Sequence, residues 1–567
     1  MKKLLLVLIY LMPQTVALCQ NGSIPHLEKQ GDVTQLIVDG KPFLILGGEL
    51  HNSSTSGAAY MRPIWQDMKK KNLNTVIAPV YWEMLEPAEG KFDFSLVDSM
   101  ITGAKNQHLK LVILWFGTWK NGYSMYAPGW VKKDFARFPR AKSKSGESYE
   151  MLSAFSEASM KADAKAFQML MTHIRSTDAK SQTVIAAQIE NEMGLFYAAR
   201  DYSDVANEAY KKGVPADLMK YLAANKSTIQ PEIDSAWKAN GYKTTGSWED
   251  VFGKSTFNAK DWKELSYLPE ELFTSYHYAK YAGSVAAAGK AAYPIPMYVN
   301  AWIKQPGMPY PGKYPSGGPV PHTLDIWRAV ATAIDFISPD VYVPHQAAKE
   351  AIERYNRRGN LLFNPEFRPG LQSAMEAFWI YGDQNAVCFS PFGIDESTPE
   401  DDPITKTYAV LAQAKDLILK ERGKGTMKGF YLDKQSPDTS ISLGGYNIRI
   451  SMGGGAFGDT KNSPTVAGGI LINTSPDEFI VIGKDFTCKF APLSPDTEKP
   501  LIDIEFMDEG TFINGKWVTT RRLNGDEGTG GGDYGFGFGN NKVGVMRFQK
   551  QPDGRSNVIR FKMYRYK

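Results

Sequence analysis

Cysteine is scarce: the 567 residues hold three, Cys19, Cys388 and Cys488. That excludes a disulfide framework, and Cys388 and Cys488 read as small buried hydrophobes with free thiols. Charge of one sign is lacking too. The net charge is +4, and no Lys/Arg run marks a nucleic-acid or membrane patch, so no nucleic-acid partner is expected. Beyond the N-terminus no apolar run is long enough to span a bilayer. There is no repeat of fixed period. His51, His322 and His345 stand singly near predicted loops, with no His-Glu-x-x-His spacing, so no metal is expected. The glycine-rich run Gly528–Gly539 lacks the Gly-Lys-Ser/Thr ending of a phosphate loop and reads as a loop of a β domain. No cofactor is expected.

What is present begins with an N-terminal export pattern. Lys2-Lys3 form a charged region, Leu4–Met12 an apolar one, and Val16–Gln20 a cleavage region. Residues 1–19 are expected to be a signal peptide and the protein to be exported, periplasmic or secreted. Lipid attachment at Cys19 is the lesser alternative, because Leu18 is a poor residue before a lipidated cysteine.

Helix and strand patterns then alternate. Runs with tips near residues 50, 81, 116, 192, 302, 342, 366 and 392 read as strands. Between them lie helical faces such as Ala58/Met61/Trp65/Met68 and Phe167/Leu170/Met171/Ile174. Eight such units predict an α/β fold, a (β/α)8 TIM barrel over 35–425. The surplus between 195 and 290 predicts a helical insertion after strand four, overhanging the pocket as one of its walls. From 426 to 567, short β runs between Gly/Pro/Asn turns predict a C-terminal antiparallel β-sandwich.

Two acids stand out against this frame. Val184–Glu192 and Leu361–Glu366 are apolar runs that each end in a carboxylate. Strand tips are where barrel enzymes carry their chemistry. Strands four and seven lie on opposite sides of a closed barrel, so Glu192 and Glu366 should face each other. Paired carboxylates are the equipment for cleaving a glycosidic bond. A separation of about 5–5.5 Å gives retention, a wider one inversion. Alternation places residues 188, 190 and 192 on the interior face, with Glu190 one layer below Glu192. Aromatics make up 12% of the chain. Trp119, Trp302, Trp327 and Trp379 are candidate sugar platforms, for which core packing is an equal reading.

Gln188-Ile-Glu-Asn-Glu-Met-Gly194 resembles the Gln-Val-Glu-Asn-Glu-Tyr-Gly of glycoside hydrolase family 35, the β-galactosidases of retaining clan A. Tyr81–Pro87 with Phe92-Asp-Phe94, Trp119–Gly122 with Pro128-Gly-Trp130, and Tyr298–Trp302 are similar to further segments of that family. The resemblance implies that Glu192 is the acid/base and Glu366 the nucleophile. It implies that Asn191 holds a ring hydroxyl and that Tyr342 orients the nucleophile. Trp119, Asn121, Trp302, Glu49 and His51 fall at substrate-binding segments. Two departures stand where the family recognises galactose. Gly47-Gly-Glu-Leu-His51 replaces Ser-Gly-Ser-Ile-His, and Gly117-Thr-Trp119 replaces Ala-Glu-Trp.

The chain thus looks like a divergent bacterial branch with a C-terminal β domain. The implied activity is that of a retaining exo-β-galactosidase acting on oligosaccharides or plant polysaccharide side chains such as those of xyloglucan. Alternatives are a retaining β-glycosidase of other specificity (β-glucosidase or exo-β-glucosaminidase) and a non-catalytic glycan-binding protein.

Overall fold

The computed structural model describes residues 23–258, 261–452, 464–494, 496–499, 501–523, 544–547 and 557–567. The expectations for segment 1–19, for Cys19 and for the Gly528–Gly539 loop lie outside the described residues.

Eight parallel strands close into a barrel. They are β1 (Ile45–Glu49), β2 (Thr75–Tyr81), β3 (Lys110–Lys120), β4 (Val184–Asn191), β5 (Met297–Trp302), β6 (Phe336–Val341), β7 (Phe363–Phe367) and β8 (Cys388–Pro391). Each is followed by its helix: α1 (Ala58–Lys70), α2 (Ser95–Asn106), α3 (Glu157–Asp178), α4 (Leu268–Ala292), α5 (Leu324–Val330), α6 (His345–Tyr355), α7 (Leu371–Gly382) and α8 (Pro403–Glu421). Seven of the strands end at the predicted tips, the third runs on from 116 to Lys120, and the fold is the expected (β/α)8 barrel.

The strands read as unbroken apolar runs because both of their faces are covered. Ile77, Leu114, Ala186, Tyr298, Phe336 and Phe363 fill the interior. Val76, Ile113, Ala187 and Val299 face the helices in a second cluster. The barrel's base is therefore solid, and the end where barrel enzymes carry their chemistry is the C-terminal mouth. Register fixes which residues share that mouth: Lys120 pairs with Asn191, Trp302 with Asp340, and Asp340 with Glu366.

The surplus after β4 is shorter than the sequence suggests. Helices at Asp204–Lys211, Ala216–Ala224, Pro231–Ala239 and Trp248–Phe252 form a small layer around Leu218, Trp237, Trp248 and Phe273. The rest of the span is α4, the barrel's own fourth helix. It is buried against neighbours on several sides, including Leu272, Tyr278, Ala282 and Ala286. A helix covered all round has no single apolar stripe, which is why its pattern did not separate from the insertion.

The C-terminal strands are β9 (Met427–Asp433), β10 (Asp438–Leu443), β11 (Tyr446–Met452), β12 (Val466–Ser475), β13 (Glu478–Lys484), β14 (Phe486–Pro492), β15 (Leu501–Ile513), β16 (Lys516–Arg522), β17 (Gly544–Arg547) and β18 (Asn557–Tyr566). They form two antiparallel sheets, ordered β9-β12-β13-β18-β15-β16 and β10-β11-β14-β17. Ile448, Leu471, Phe479, Val481, Phe490 and Phe561 make a core between them. This domain is docked on the barrel. Gly382 of α7 meets Gly429 of β9 so closely that a Cβ on Gly429 would lie 2.4 Å from the Phe378 carbonyl oxygen. Met427, Tyr431 and Ile470 belong to the same apolar cluster as Phe378 and Trp379. Cys388 and Cys488 are free and buried. Among the described residues no helix is long and apolar enough to cross a membrane.

Candidate active site

At the mouth of the barrel lies a cavity of about 320 Å³, lined by residues from six strand ends, among them Lys120, Asn121, Glu192, Trp302, Asp340 and Glu366. The volume falls in the range of ordinary small-molecule sites. Oxygens of Glu192, Asp340 and Glu366 lie within 4.8 Å of one another.

Alternation along β4 fails at its end. Glu190 and Glu192 both take left-handed backbone, with φ of 59° and 46°. Non-glycine residues seldom do so, and such strain concentrates at functional sites. The consequence is that three residues in a row point in useful directions. Glu190 turns outward into the helix layer, where its carboxylate accepts from the Trp119 N–H at 2.7 Å. This corrects the expected interior placement of Glu190. Asn191 and Glu192 both reach the mouth. The Glu192 N–H donates to Asn300 Oδ1 at 2.8 Å, and its carboxylate accepts from Asn121 Nδ2.

Glu366 receives three donors. Tyr342 Oη donates to Oε2 at 2.6 Å; Asn191 Nδ2 and Asn300 Nδ2 each lie 3.2 Å from Oε1. Both amides are held in the orientation that aims their NH2 at Glu366. Lys120 Nζ donates to Asn191 Oδ1 at 2.9 Å, and the Glu192 N–H occupies Asn300 Oδ1. Converging donors of this kind solvate a carboxylate anion in a dry pocket while leaving it in place to attack.

Glu192 is in the opposite condition. Burial, and then the charge of Glu366, push its carboxyl up to about 8, against the pull of Lys120, Asp340 and Asn121. It is therefore a proton donor at neutral pH. Asp340 is held well above the usual carboxylate range by burial and by the charges of Glu366, Glu192 and Glu49. Glu49 is raised in the same way by burial first and Glu366 second. The three close oxygens could also hold a cation. Asn191, Asn300 and Tyr342 already present N–H and O–H groups to Glu366, however, and those are partners for an anion rather than for a shared metal ion.

These shifts link to stability. A carboxyl raised from its ordinary value near 4.3 to about 8 stabilises the fold fully below the lower value, and that contribution is lost as pH rises through the upper one. Glu192→Gln keeps the shape and removes the titration. Thermal melts should show the variant gaining on the wild type from pH 5 to pH 9, ending a few degrees more stable. A difference independent of pH would contradict the raised carboxyl.

The other sequence candidates lie in varied places. Trp302 lines the cavity. Trp119 is wholly buried behind it against Tyr278 and Tyr281. Glu49 is wholly buried beneath it, with neither oxygen hydrogen-bonded. His51 stands at the rim, half exposed, 3.4 Å from Glu396 and against the ring of Phe392. Trp327 and Trp379 are buried in the barrel wall. His322 pairs with buried Glu271, and His345 with Glu376. Among the described residues none of 204–267 lines the cavity, so the described part of the insertion does not form its wall.

Sequence reasoning did not single out Lys120, Asn300 and Asp340. All three are polar residues at the ends of apolar strands, and that was the available signal. Lys120 was hidden because β3 runs on past residue 116 through a register shift between Trp115 and Lys120. The shift also explains Thr118. Its hydroxyl donates to Asp163 at 2.6 Å in the helix layer, so the cavity-facing residue of this strand end is Lys120.

Comparison with known proteins adds sequence to geometry. Residues 35–276 match the profile of glycosyl hydrolases family 35. Residues 404–532 match a domain of unknown function, DUF5597. A curated β-galactosidase from Xanthomonas manihotis is 30% identical over 193 residues, which are 33% of this chain and 29% of that protein. The chain thus matches less than a third of that relative's length. Among solved structures, the GH42 β-galactosidase Gan42B superposes over 92% of this chain and 98% of its own, with a TM-score of 0.50 and 9% identity. A β-galactosidase from Bacillus circulans sp. alkalophilus covers 68% of this chain and 58% of its own, with a TM-score of 0.45 and 15% identity. At 9% identity the Gan42B superposition speaks to the fold alone.

Proposed function

We propose that this chain, a glycoside hydrolase whose residues 35–276 match family 35, is a retaining exo-β-galactosidase. The observation that carries the reading is the unequal pair at the barrel mouth. Glu366 is wrapped by three donors, while Glu192, within 4.8 Å oxygen to oxygen, is kept protonated. Glu192 protonates the leaving glycosidic oxygen as Glu366 attacks the anomeric carbon, giving a covalent glycosyl-enzyme. Glu192, now ionised, then takes a proton from the water that releases the sugar. The close spacing favours this double displacement, because it leaves too little room for a water between the carboxyls. A small cavity closed below by the packed barrel favours attack at a chain end. The relative from Xanthomonas manihotis supports galactose as the sugar.

The substrate, on this reading, is a galactose-terminated oligosaccharide or a plant polysaccharide side chain such as that of xyloglucan. The export pattern of residues 1–19 suits a polymer met outside the cytoplasm. Glu49 beneath the pocket and Lys120 within it favour a second reading, a different β-linked sugar.

Initial rates on nitrophenyl β-galactoside, β-glucoside and β-glucosaminide separate the two. The galactoside should be cleaved fastest, and proton NMR of the first product should show the β-anomer. The α-anomer first would overturn retention. Preference for another glycoside would replace the sugar and keep the mechanism.

A further inference from the structure

From the cavity wall an aromatic row leads out to the surface. Trp302 meets Phe196 edge-on at 5.7 Å; Phe196 stacks on Tyr123 at 5.4 Å; Tyr197 follows at 6.3 Å and Tyr149 at 5.8 Å from Tyr197. The rings come from the loops after β3 and β4, from the end of β5 and from the strand Ser148–Leu152. We propose that this row binds the chain that carries the scissile sugar: a neutral oligosaccharide of three or more residues beyond the terminal galactosyl unit. The inference rests on the glycosidase reading above and extends it to the leaving group.

Three observations carry it. The row is continuous with the reaction site, since Trp302 lines the cavity of Glu192 and Glu366. Its outer member is displayed rather than packed: Tyr197 is 65% exposed, although its backbone is left-handed with φ of 69°. A bulky ring on such a backbone is a strained arrangement that core packing does not explain. The loops are also pressed together by design of sequence. Gly122, at φ of 72°, lies so near Phe196 that a Cβ would stand 2.9 Å from its ring. The Tyr197 N–H is fixed to the Gly312 carbonyl at 2.9 Å, and the hydroxyls of Tyr123 and Tyr197 are hydrogen-bonded. Half-buried rings with polar edges suit sugars, which offer C–H faces to stack and hydroxyls to bond. No side chain of the row is charged, which selects a neutral chain.

The test compares nitrophenyl β-galactoside with a galactose-terminated oligosaccharide of at least four sugars. The full chain is used, as wild type, Tyr197→Asn, Tyr149→Ala and Trp262→Ala. Asparagine removes the ring while suiting left-handed backbone. Trp262 lines a neighbouring cavity that shares Gln305 with the catalytic one, and it marks the rival exit. Tyr197→Asn should lower kcat/KM for the oligosaccharide about tenfold, the size of an aromatic contact. The loss should lie in KM, with the nitrophenyl rate within about twofold of wild type. An unchanged ratio between the two substrates, or a loss seen with Trp262→Ala instead, would overturn the proposal. If the wild type cleaves no galactoside, the functional reading fails by itself. The row is then judged by calorimetric binding of the same oligosaccharide to Glu366→Gln: weaker binding on adding Tyr197→Asn supports it, and equal binding overturns it.

Discussion

Glu366→Gly should lose about 10⁵-fold in kcat, the scale of removing a nucleophile from an assembled site, and sodium azide should restore part of it. Azide would enter the space left by the side chain and attack the anomeric carbon from the face that Glu366 uses. The product would be the α-glycosyl azide, inverted relative to the substrate. Glu192→Ala should behave differently. With an aryl leaving group that needs little protonation, the first step survives and the glycosyl-enzyme accumulates. Azide then attacks that intermediate and yields the β-glycosyl azide. Loss of the acid/base alone should cost about 10²–10⁴-fold on substrates whose leaving oxygen needs a proton. The two variants therefore give products of opposite configuration, a result that follows only if the roles of the two carboxyls are as assigned. NMR of the azides decides it. The same anomer from both variants would contradict the assignment.

The second large effect is expected at Lys120. Its ammonium fixes Asn191 at 2.9 Å and is the one cation among the described residues lining the cavity. Lys120→Met removes the positive charge that pulls the carboxyls of Glu49 and Glu192 down, so both should be held higher still. It also leaves Asn191 Oδ1 without its donor, freeing the amide that faces Glu366. The expected result is a fall in kcat of about 10²–10³-fold, similar to losing one preorganised donor, together with an upward move of the basic limb of the pH–rate profile, where Glu192 loses its proton. Lys120→Arg should not restore activity, since a planar fork does not reproduce a compact ammonium. A higher KM with an unmoved basic limb would mean that Lys120 only touches the substrate.

Much of this site was readable from the chain, for reasons particular to its residues. Glu192 and Glu366 were visible because each breaks an apolar run at the point where a buried strand meets solvent. The eight strands were visible because barrel strands are apolar on both faces. Glu190 was misplaced because period-two reasoning assumes extended backbone, and residues 190 and 192 leave it. Lys120 was passed over because its strand continues beyond the apolar run that marked it. Trp119 had the right neighbours in sequence, yet lies behind the cavity, since the register shift in β3 turns it toward Tyr281. Asn300 and Asp340 each lie within a short apolar strand, where a single polar residue carries no pattern of its own. Their roles arise from pairing across β5, β6 and β7, which only the closed barrel supplies.

The most direct measurement is mass spectrometry of the full chain after incubation with an activated 2-deoxy-2-fluoro-β-galactoside, followed by peptide mapping. The fluorine slows both steps and the good leaving group keeps the first accessible, so the intermediate accumulates. The account predicts one added fluorogalactosyl unit, on the peptide containing Glu366, and none in Glu366→Gln. Turnover of the parent galactoside with no adduct, or an adduct on Glu192 or Asp340, would contradict it.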